Sequence, residues 1–162
     1  MKNRSSAYTL LLFCADQLLK YCAYPASKLY IPTLPNNLFG VVGWHPTANY
    51  GITLSWLSQF PSWGLAILQL SILLYLYQIK PPKTCWIWIS AGALSNILDR
   101  LTYGYVVDYL SFKAFGLTWP AIINLADLYI SLGILYWFYT SSHRSVNFSG
   151  NFFTRKLQSD EV

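Results

Sequence analysis

The stretch SWGLAILQLSILLYLYQI (62–79) decides the fold class, because it runs for eighteen residues without one charged side chain. A helix of this length is long enough to cross a bilayer. Stretches 5–24 and 121–140 have the same character, and 84–101 is more mixed but still long enough. With 54% hydrophobic and only 10% charged residues, the chain is predicted to be a small all-α polytopic membrane protein with four transmembrane helices.

The positions of the basic residues predict the orientation of these spans. Seven of the eleven lie before span 1, between spans 2 and 3, or after span 4: Lys2, Arg4, Lys80, Lys83, Arg144, Arg155 and Lys156. Basic residues concentrate in cytoplasmic loops, so both termini and the loop KPPK (80–83) are predicted to be cytoplasmic. This distribution explains the net charge of +5 without a nucleic-acid partner. The segments 25–60 and 102–120 then lie outside.

Four carboxyl groups stand in or beside the apolar segments, namely Asp16, Asp99, Asp108 and Asp127. A charged side chain at the centre of a bilayer costs about 2.5–3.5 kcal/mol even on the mildest insertion scale. The predicted orientation brings all four to the outer side of the membrane at a similar depth. We therefore expect them to form one site near the outer leaflet.

Two of these acids have a basic residue close by in the sequence. Asp16 and Lys20 are four residues apart on one helix, so they share a face and can form an ion pair. Asp99 precedes Arg100 at the predicted membrane boundary, where the arginine could extend toward the headgroups. For these four residues a supporting role is favoured over chemistry.

Asp108 and Asp127 have no basic residue three or four positions away. Asn124 precedes Asp127 by three residues, and Asn96 precedes Asp99 at the same spacing, so each amide could donate to a carboxylate. Two close carboxyl groups in a site of low dielectric share one proton. One then accepts a proton from water while the other donates to a carbonyl oxygen, which is the mechanism of aspartic proteases.

Two other kinds of chemistry compete with peptide hydrolysis by paired acids. A metal site would need His45 with the carboxylates, but no H-x-x-x-H or D-x-x-x-D spacing is present, so no metal and no cofactor are expected. Proton or ion transport remains open, because acids within a membrane also act as proton relays. A four-span transporter would need to oligomerise to form a path.

Four motifs, in order, resemble the lipoprotein signal peptidases (signal peptidase II), which are four-span aspartic proteases of bacterial inner membranes. They are DQLLK (16–20), NYGITLS (49–55), GALSNILDRLTYGYVVDYL (92–110) and INLADLYISLG (123–133). The similarity extends from about residue 10 to 140. Departures from the family pattern are Ile52, Thr53 and Leu54 in the second motif, Ser95 in place of Gly, and Ile123 in place of Phe.

The resemblance implies that Asp108 and Asp127 are the catalytic pair. The residues that it implies around the site are Asn49, Gly51, Asn96, Asp99, Arg100, Asn124, Asp16 and Lys20. The implied substrates are diacylglyceryl-modified prolipoproteins, cleaved before the lipidated Cys, and globomycin-type peptides would be inhibitors. By the same resemblance the protein would be a monomer in contact with membrane lipid. A paralogue that binds lipidated peptides without cutting them, or cuts a narrower set, remains an alternative.

The regions outside the spans complete the predicted organisation. The outer segment 37–57 is rich in β-branched and aromatic residues with Gly and Pro breaks, which predicts a small β-rich element between helices 1 and 2. Segment 102–120 is expected to act as a lid, with Gly104 and Gly116 as hinges. Residues 1–142 would form the peptidase domain and 143–162 a cytoplasmic tail.

Overall fold

The computed structural model describes residues 2–29, 42–51, 59–114, 117–118 and 121–159. In this part of the chain, helices and strands follow one another in a mixed order. They are α1 (Lys2–Leu29), β1 (Val42–Asn49), α2 (Ser62–Ile79), α3 (Lys83–Thr102), β2 (Val106–Ala114), β3 (Leu117–Thr118) and α4 (Leu125–Ser159).

Each predicted span coincides with a helix. Pro61 directly precedes α2 and Pro82 directly precedes α3, positions where the missing N–H of proline costs no hydrogen bond within the helix. The helix α4 extends beyond the predicted end at residue 140 and through most of the predicted tail.

Among the described helices, α2 is the one that is long and apolar enough to cross a membrane, with a mean hydropathy of 1.4. The structure therefore supports one of the four predicted spans by length and composition. The helices α1, α3 and α4 contain the acids of the proposed site, and these polar side chains lower the mean hydropathy of a segment. Four spans remain a prediction for this chain.

The helix α3 packs against α1, α2 and α4 and lies at the centre of the bundle. Its contact with α4 depends on glycine at two positions. A Cβ atom at Gly92 would collide with the carbonyl oxygen of Ala126, and one at Gly133 would lie 2.7 Å from Cγ1 of Ile89. Small residues at these points let the two helix backbones approach closely.

The sheet is larger than the sequence predicts. It has the strand order β1–β2–β3, both pairings are antiparallel, and Thr47 lies opposite Asp108. The predicted β element between helices 1 and 2 is present as β1, and the sheet also includes β2 and β3, which follow α3. A lone β1 would have unpaired backbone groups, and the residues of β2 supply the partners.

The segment that was expected to be a lid forms a wall of the fold. The side chains of Val106, Val107, Asp108 and Tyr109 in β2 are all buried. Gly104 makes the turn between α3 and β2 with a φ of 80°, a conformation that favours glycine. The other proposed hinge, Gly116, lies outside the described residues, as do the departures Ile52, Thr53 and Leu54.

Candidate active site

Asp108 lies on β2 with its carboxyl group held by two asparagine side chains. Asn49 Nδ2 on β1 donates to Asp108 Oδ2 at 2.9 Å, and Asn124 Nδ2 donates to Oδ1 at 2.8 Å. Gly51 N donates to Asn49 Oδ1 at 3.0 Å, which leaves the amide NH₂ group of Asn49 directed at the acid. Neutral donors therefore orient both oxygens of Asp108.

Asp127 lies in the first turn of α4 and is also held by amides. Asn96 Nδ2 on α3 donates to Asp127 Oδ1 at 2.8 Å, and the backbone N–H of Asn124 donates to Oδ2 at 3.2 Å. The two side-chain amides therefore donate to different acids from those that the sequence spacing predicts. Asn124 NH₂ reaches Asp108 instead of Asp127, and Asn96 NH₂ reaches Asp127 instead of Asp99.

The main chain before α4 fixes the two acids relative to each other. Ile123 N donates to Leu110 O at 2.9 Å, and Leu110 N donates to Ile123 O at 2.8 Å. This antiparallel bridge joins β2, which bears Asp108, to the residue that immediately precedes Asn124. A single residue, Asn124, then contacts both acids, Asp108 through its side-chain NH₂ and Asp127 through its backbone N–H.

The other two acids are bound to a buried cation. Lys20 Nζ lies 2.9 Å from Asp16 Oδ2 and 3.0 Å from Asp99 Oδ2, and all three side chains are at most 1% exposed. The predicted ion pair between Asp16 and Lys20 is therefore present. Asp99 also accepts from Gln17 Nε2 at 2.9 Å and from Val107 N at 3.1 Å, so it joins α1, α3 and β2.

Arg100 does not extend toward the surface as the sequence predicts. It is buried, because its guanidinium finds acceptors inside the protein. Nη1 donates to Gln69 Oε1 at 2.8 Å and Nη2 donates to Gly51 O at 3.0 Å. Arg100 thereby links α3, α2 and the segment after β1 beside the paired acids.

The electrostatic surroundings of Asp108 favour its protonated form. Burial, followed by the negative charge of Asp127, raises the pKa of Asp108 to about 7, while hydrogen bonds from Asn49 and Asn124 oppose the shift. Among the described residues, neither Asp108 nor Asp127 forms an ion pair with a basic side chain. The two carboxyl groups can therefore hold one proton between them near neutral pH.

Both acids line a cavity of about 550 Å³ between α2, α3, α4 and the sheet. Asn49, Asn96 and Arg100 line it as well. Most of its remaining lining is aliphatic: Leu65, Leu68, Ile72, Leu73, Leu76, Ile89, Ala93, Val106, Ala121, Ile122, Ile123, Ile130 and Ile134. The site therefore combines paired acids with a long apolar surface.

The structure gives no support for a metal at this site. Among the described residues, no group of three or more His, Cys, Asp or Glu side chains is arranged to hold a metal ion. His45, the residue weighed as a ligand, does not line the cavity, and its Nδ1 lies 2.8 Å from Ser111 Oγ across the sheet.

Sequence reasoning missed four residues that bind the predicted site residues. Gln17, Gln69 and Tyr109 bind Asp99, Arg100 and Asp16 respectively, and Ser95 binds Asp16. Gln69 had a usable signal, because it is a polar residue in the middle of an apolar span. Gln17 and Tyr109 stand next to predicted site residues, yet adjacency does not tell which way a side chain points.

The chain is similar to known proteins over most of its length. The family described as Signal peptidase (SPase) II matches residues 8–143. The lipoprotein signal peptidase of Allorhizobium ampelinum is 32% identical over 78% of this chain and 80% of its own length. That of Sinorhizobium fredii is 33% identical over 78% of each chain. A solved bacterial membrane enzyme superimposes with a TM-score of 0.72 at 25% identity, covering 90% of this chain and 91% of its own.

Proposed function

The chain belongs to the signal peptidase II family, and we propose that it cleaves lipoprotein precursors with Asp108 and Asp127 as an aspartic catalytic pair. The family is one of membrane-embedded proteases that process lipoproteins, so the protein is a lipoprotein-processing membrane protease. The observation behind the catalytic assignment is that both carboxyl groups face one cavity, held by amides rather than by cations.

The proposed reaction needs one proton shared by the two acids. The ionised carboxylate removes a proton from the attacking water, and the protonated carboxyl donates to the oxygen of the scissile carbonyl. Collapse of the tetrahedral intermediate then passes a proton to the leaving amine. Asn49 and Asn124 hold Asp108, and Asn96 holds Asp127, so that both acids keep their orientation through these transfers.

The remaining site residues act as a scaffold in this proposal. Lys20 compensates the charges of Asp16 and Asp99 and ties α1 to α3. Arg100 adds a positive charge close to the paired acids while its guanidinium stays bound to Gln69 and Gly51. These contacts supply a rigid second layer around the reacting groups, which a site of this kind requires.

The proposed substrate follows from the form of the cavity. Aliphatic side chains from α2, α3 and α4 suit an apolar signal peptide and the acyl chains of a diacylglyceryl group. The acids at its polar end would meet the peptide bond before the lipidated Cys. Globomycin-type peptides would compete for the same surface. The chain would act as a monomer, since both acids come from one copy.

Exposed apolar side chains support a four-span topology. On α2, Ile67, Leu70 and Leu74 are exposed, and on α4 Leu135 and Phe138 are 65% and 70% exposed. Such surfaces are stable in contact with lipid and unfavourable in water. We propose that residues 1–142 form the embedded peptidase domain of a bacterial inner-membrane protein. Both termini would be cytoplasmic and the paired acids near the outer leaflet, with 143–162 as the cytoplasmic segment.

Processing of a diacylated prolipoprotein in a bacterium depleted of its own signal peptidase II tests the assignment. Wild type should convert the precursor, whereas Asp108→Asn and Asp127→Asn should lower the rate at least about 100-fold while the proteins still insert. The control variant Asp160→Asn makes the same chemical change at an acid outside the catalytic pair. It should process the precursor normally. If Asp108→Asn or Asp127→Asn converted the precursor at the wild-type rate, the acid replaced in that variant would be excluded from catalysis.

A further inference from the structure

Ser95 occupies the centre of the contact between α1 and α3. It is fully buried, and its hydroxyl has three polar partners on α1. Ser95 Oγ donates to Asp16 Oδ2 at 2.6 Å and accepts from Gln17 Nε2 at 2.8 Å and from Lys20 Nζ at 3.3 Å. A small residue that served only to let α1 and α3 approach closely would not need these hydrogen bonds.

The lysine that Ser95 contacts controls the orientation of Asn96. Lys20 Nζ donates to Asn96 Oδ1 at 2.7 Å, and Asn124 Nδ2 donates to the same oxygen at 3.2 Å. With its oxygen held, Asn96 must present its NH₂ group to Asp127 Oδ1, at 2.8 Å. If the amide rotated by half a turn, an oxygen would face the carboxylate and the hydrogen bond would be lost.

The position of Lys20 results from competing attractions. Asp16 Oδ2 and Asp99 Oδ2 attract the ammonium by their charge, and Asn96 Oδ1 accepts a hydrogen bond from it. Ser95 donates to the same oxygen of Asp16 that pairs with Lys20, which weakens that pull, and its own lone pair offers the lysine a further acceptor. Without the hydroxyl, Lys20 should move toward Asp16 and away from Asn96.

We propose that Ser95 is a positioning residue of the cleavage reaction, acting through Lys20 and Asn96 on Asp127. The proposal rests on the proposed function of the paired acids. It assigns a role to a residue that the sequence marked only as a departure from the family pattern, which has Gly there.

The variants that test it are Ser95→Ala and a matched control, Ser90→Ala. Ser90 is also buried on α3, but its hydroxyl donates within the helix to Trp86 O at 2.6 Å. Ser95→Ala should lower kcat about tenfold and change KM less than about twofold. This is the effect expected when one hydrogen bond to a charged group is lost. Ser90→Ala should leave both constants near wild type.

A pH profile separates positioning from simple loss of folded protein. The charged groups around the paired acids are Asp16 and Lys20 on α1, and Asp99 and Arg100 on α3. The charge of Lys20 lowers the pKa of Asp108, opposing the larger effect of burial. Withdrawal of Lys20 in Ser95→Ala should therefore shift the alkaline limb of kcat to higher pH, and Ser90→Ala should not.

Equal kcat and pH profiles for Ser95→Ala and wild type would overturn the proposal while leaving the proposed function intact. If Ser95→Ala does not fold, the nearly isosteric pair Ser95→Thr and Ser95→Val tests the hydroxyl instead, and equal kcat for that pair would refute the role. If wild type fails to cleave, the proposed function fails. In that case the effect of Ser95 on the paired acids is tested by titrating their protonated carboxyl group with infrared spectroscopy. A titration midpoint that is unchanged in Ser95→Ala would contradict the effect.

Discussion

At the scale of single residues, the donor that faces each carboxyl group divides the four aspartates into two pairs. Asp16 and Asp99 form ion pairs with the ammonium of Lys20. Among the described residues, the donors to Asp108 and Asp127 are all amide N–H groups, which orient an acid without adding a positive charge. This division matches the proposed roles, in which the first pair is structural and the second transfers protons.

The raised pKa of Asp108 predicts how stability depends on pH. The pKa of this carboxyl group is about 3.9 in the unfolded chain and about 7 in the folded protein. Between these values the folded state binds the extra proton, so the contribution of Asp108 to stability is full below the lower pKa and is lost as pH rises through the upper one.

Thermal unfolding in detergent between these two pH values checks this prediction. The unfolding midpoint of wild type should fall as pH rises, and that of Asp108→Asn should fall less, because the variant has no proton to lose. A wild-type curve as flat as that of the variant would contradict a raised pKa at Asp108.

At the scale of elements, the start of α4 and the candidate site are the same structure. The first backbone N–H groups of a helix lack partners within it, and here side chains supply all of them. Leu125 N donates to Tyr109 OH at 3.1 Å, and Ala126 N donates to Asp16 Oδ1 at 3.0 Å.

Asn124 and Asp127 complete this arrangement with a reciprocal capping pair. Asp127 N donates to Asn124 Oδ1 at 2.9 Å, and Asn124 N donates to Asp127 Oδ2 at 3.2 Å. The position of Asp127 therefore depends on α1, β2 and the helix start together. Any displacement of α4 along α3 would disturb the acid pair.

Gly92→Ala should test this dependence. A Cβ atom at Gly92 meets the carbonyl oxygen of Ala126, a backbone atom that can move only with the whole first turn of α4. We expect α4 to shift, Asp127 to leave its hydrogen bonds, and kcat to fall at least about tenfold, since small misplacements at a reacting centre are costly.

Gly64→Ala provides the matched comparison on α2. A Cβ atom there would lie 3.5 Å from Pro61 Cγ, an ordinary van der Waals contact. Its kcat and unfolding temperature should stay near those of wild type. Equal kcat for the two variants would show that α4 tolerates displacement and that the close approach at Gly92 does not hold the site.

At the scale of the whole molecule, a cluster of polar and charged groups borders an apolar cavity. The helices α2 and α4 both pack on α3, and the cavity lies between them. Apolar side chains line it from all three helices, while the outer faces of α2 and α4 expose further apolar side chains. The proposed function uses this arrangement, in which an apolar substrate would reach the buried acids from within the membrane.

Two neighbouring residues of α4 differ in whether they line the cavity. Ile134 lines the cavity, whereas Leu135 does not and is 65% exposed. Ile134→Trp should fill part of the cavity and lower kcat/KM for a diacylated precursor about tenfold or more, because bulk there displaces substrate. Leu135→Trp should leave kcat/KM unchanged. An equal effect of the two substitutions would place the substrate outside this cavity.

The sequence alone determined the helices and pointed to the acids of the candidate site, and it predicted paired acids as the chemistry. Uninterrupted apolar stretches predict helices because the length and the hydropathy of a segment are both local properties of the sequence. The cost of charge in an apolar segment then made Asp16, Asp99, Asp108 and Asp127 stand out. The motif resemblance selected the family, which the comparisons confirm.

Only the tertiary structure decided which donor faces which acid, and how far the sheet extends. Asn96 binds Asp127, 31 residues away, and Ala126 N binds Asp16 across 110 residues. Local spacing predicted Asp99 as the partner of Asn96, Asp127 as the partner of the Asn124 side-chain NH₂, and an exposed Arg100. Contacts between distant segments depend on how the helices pack and on where the strands pair, and neither follows from the periodicity of one segment.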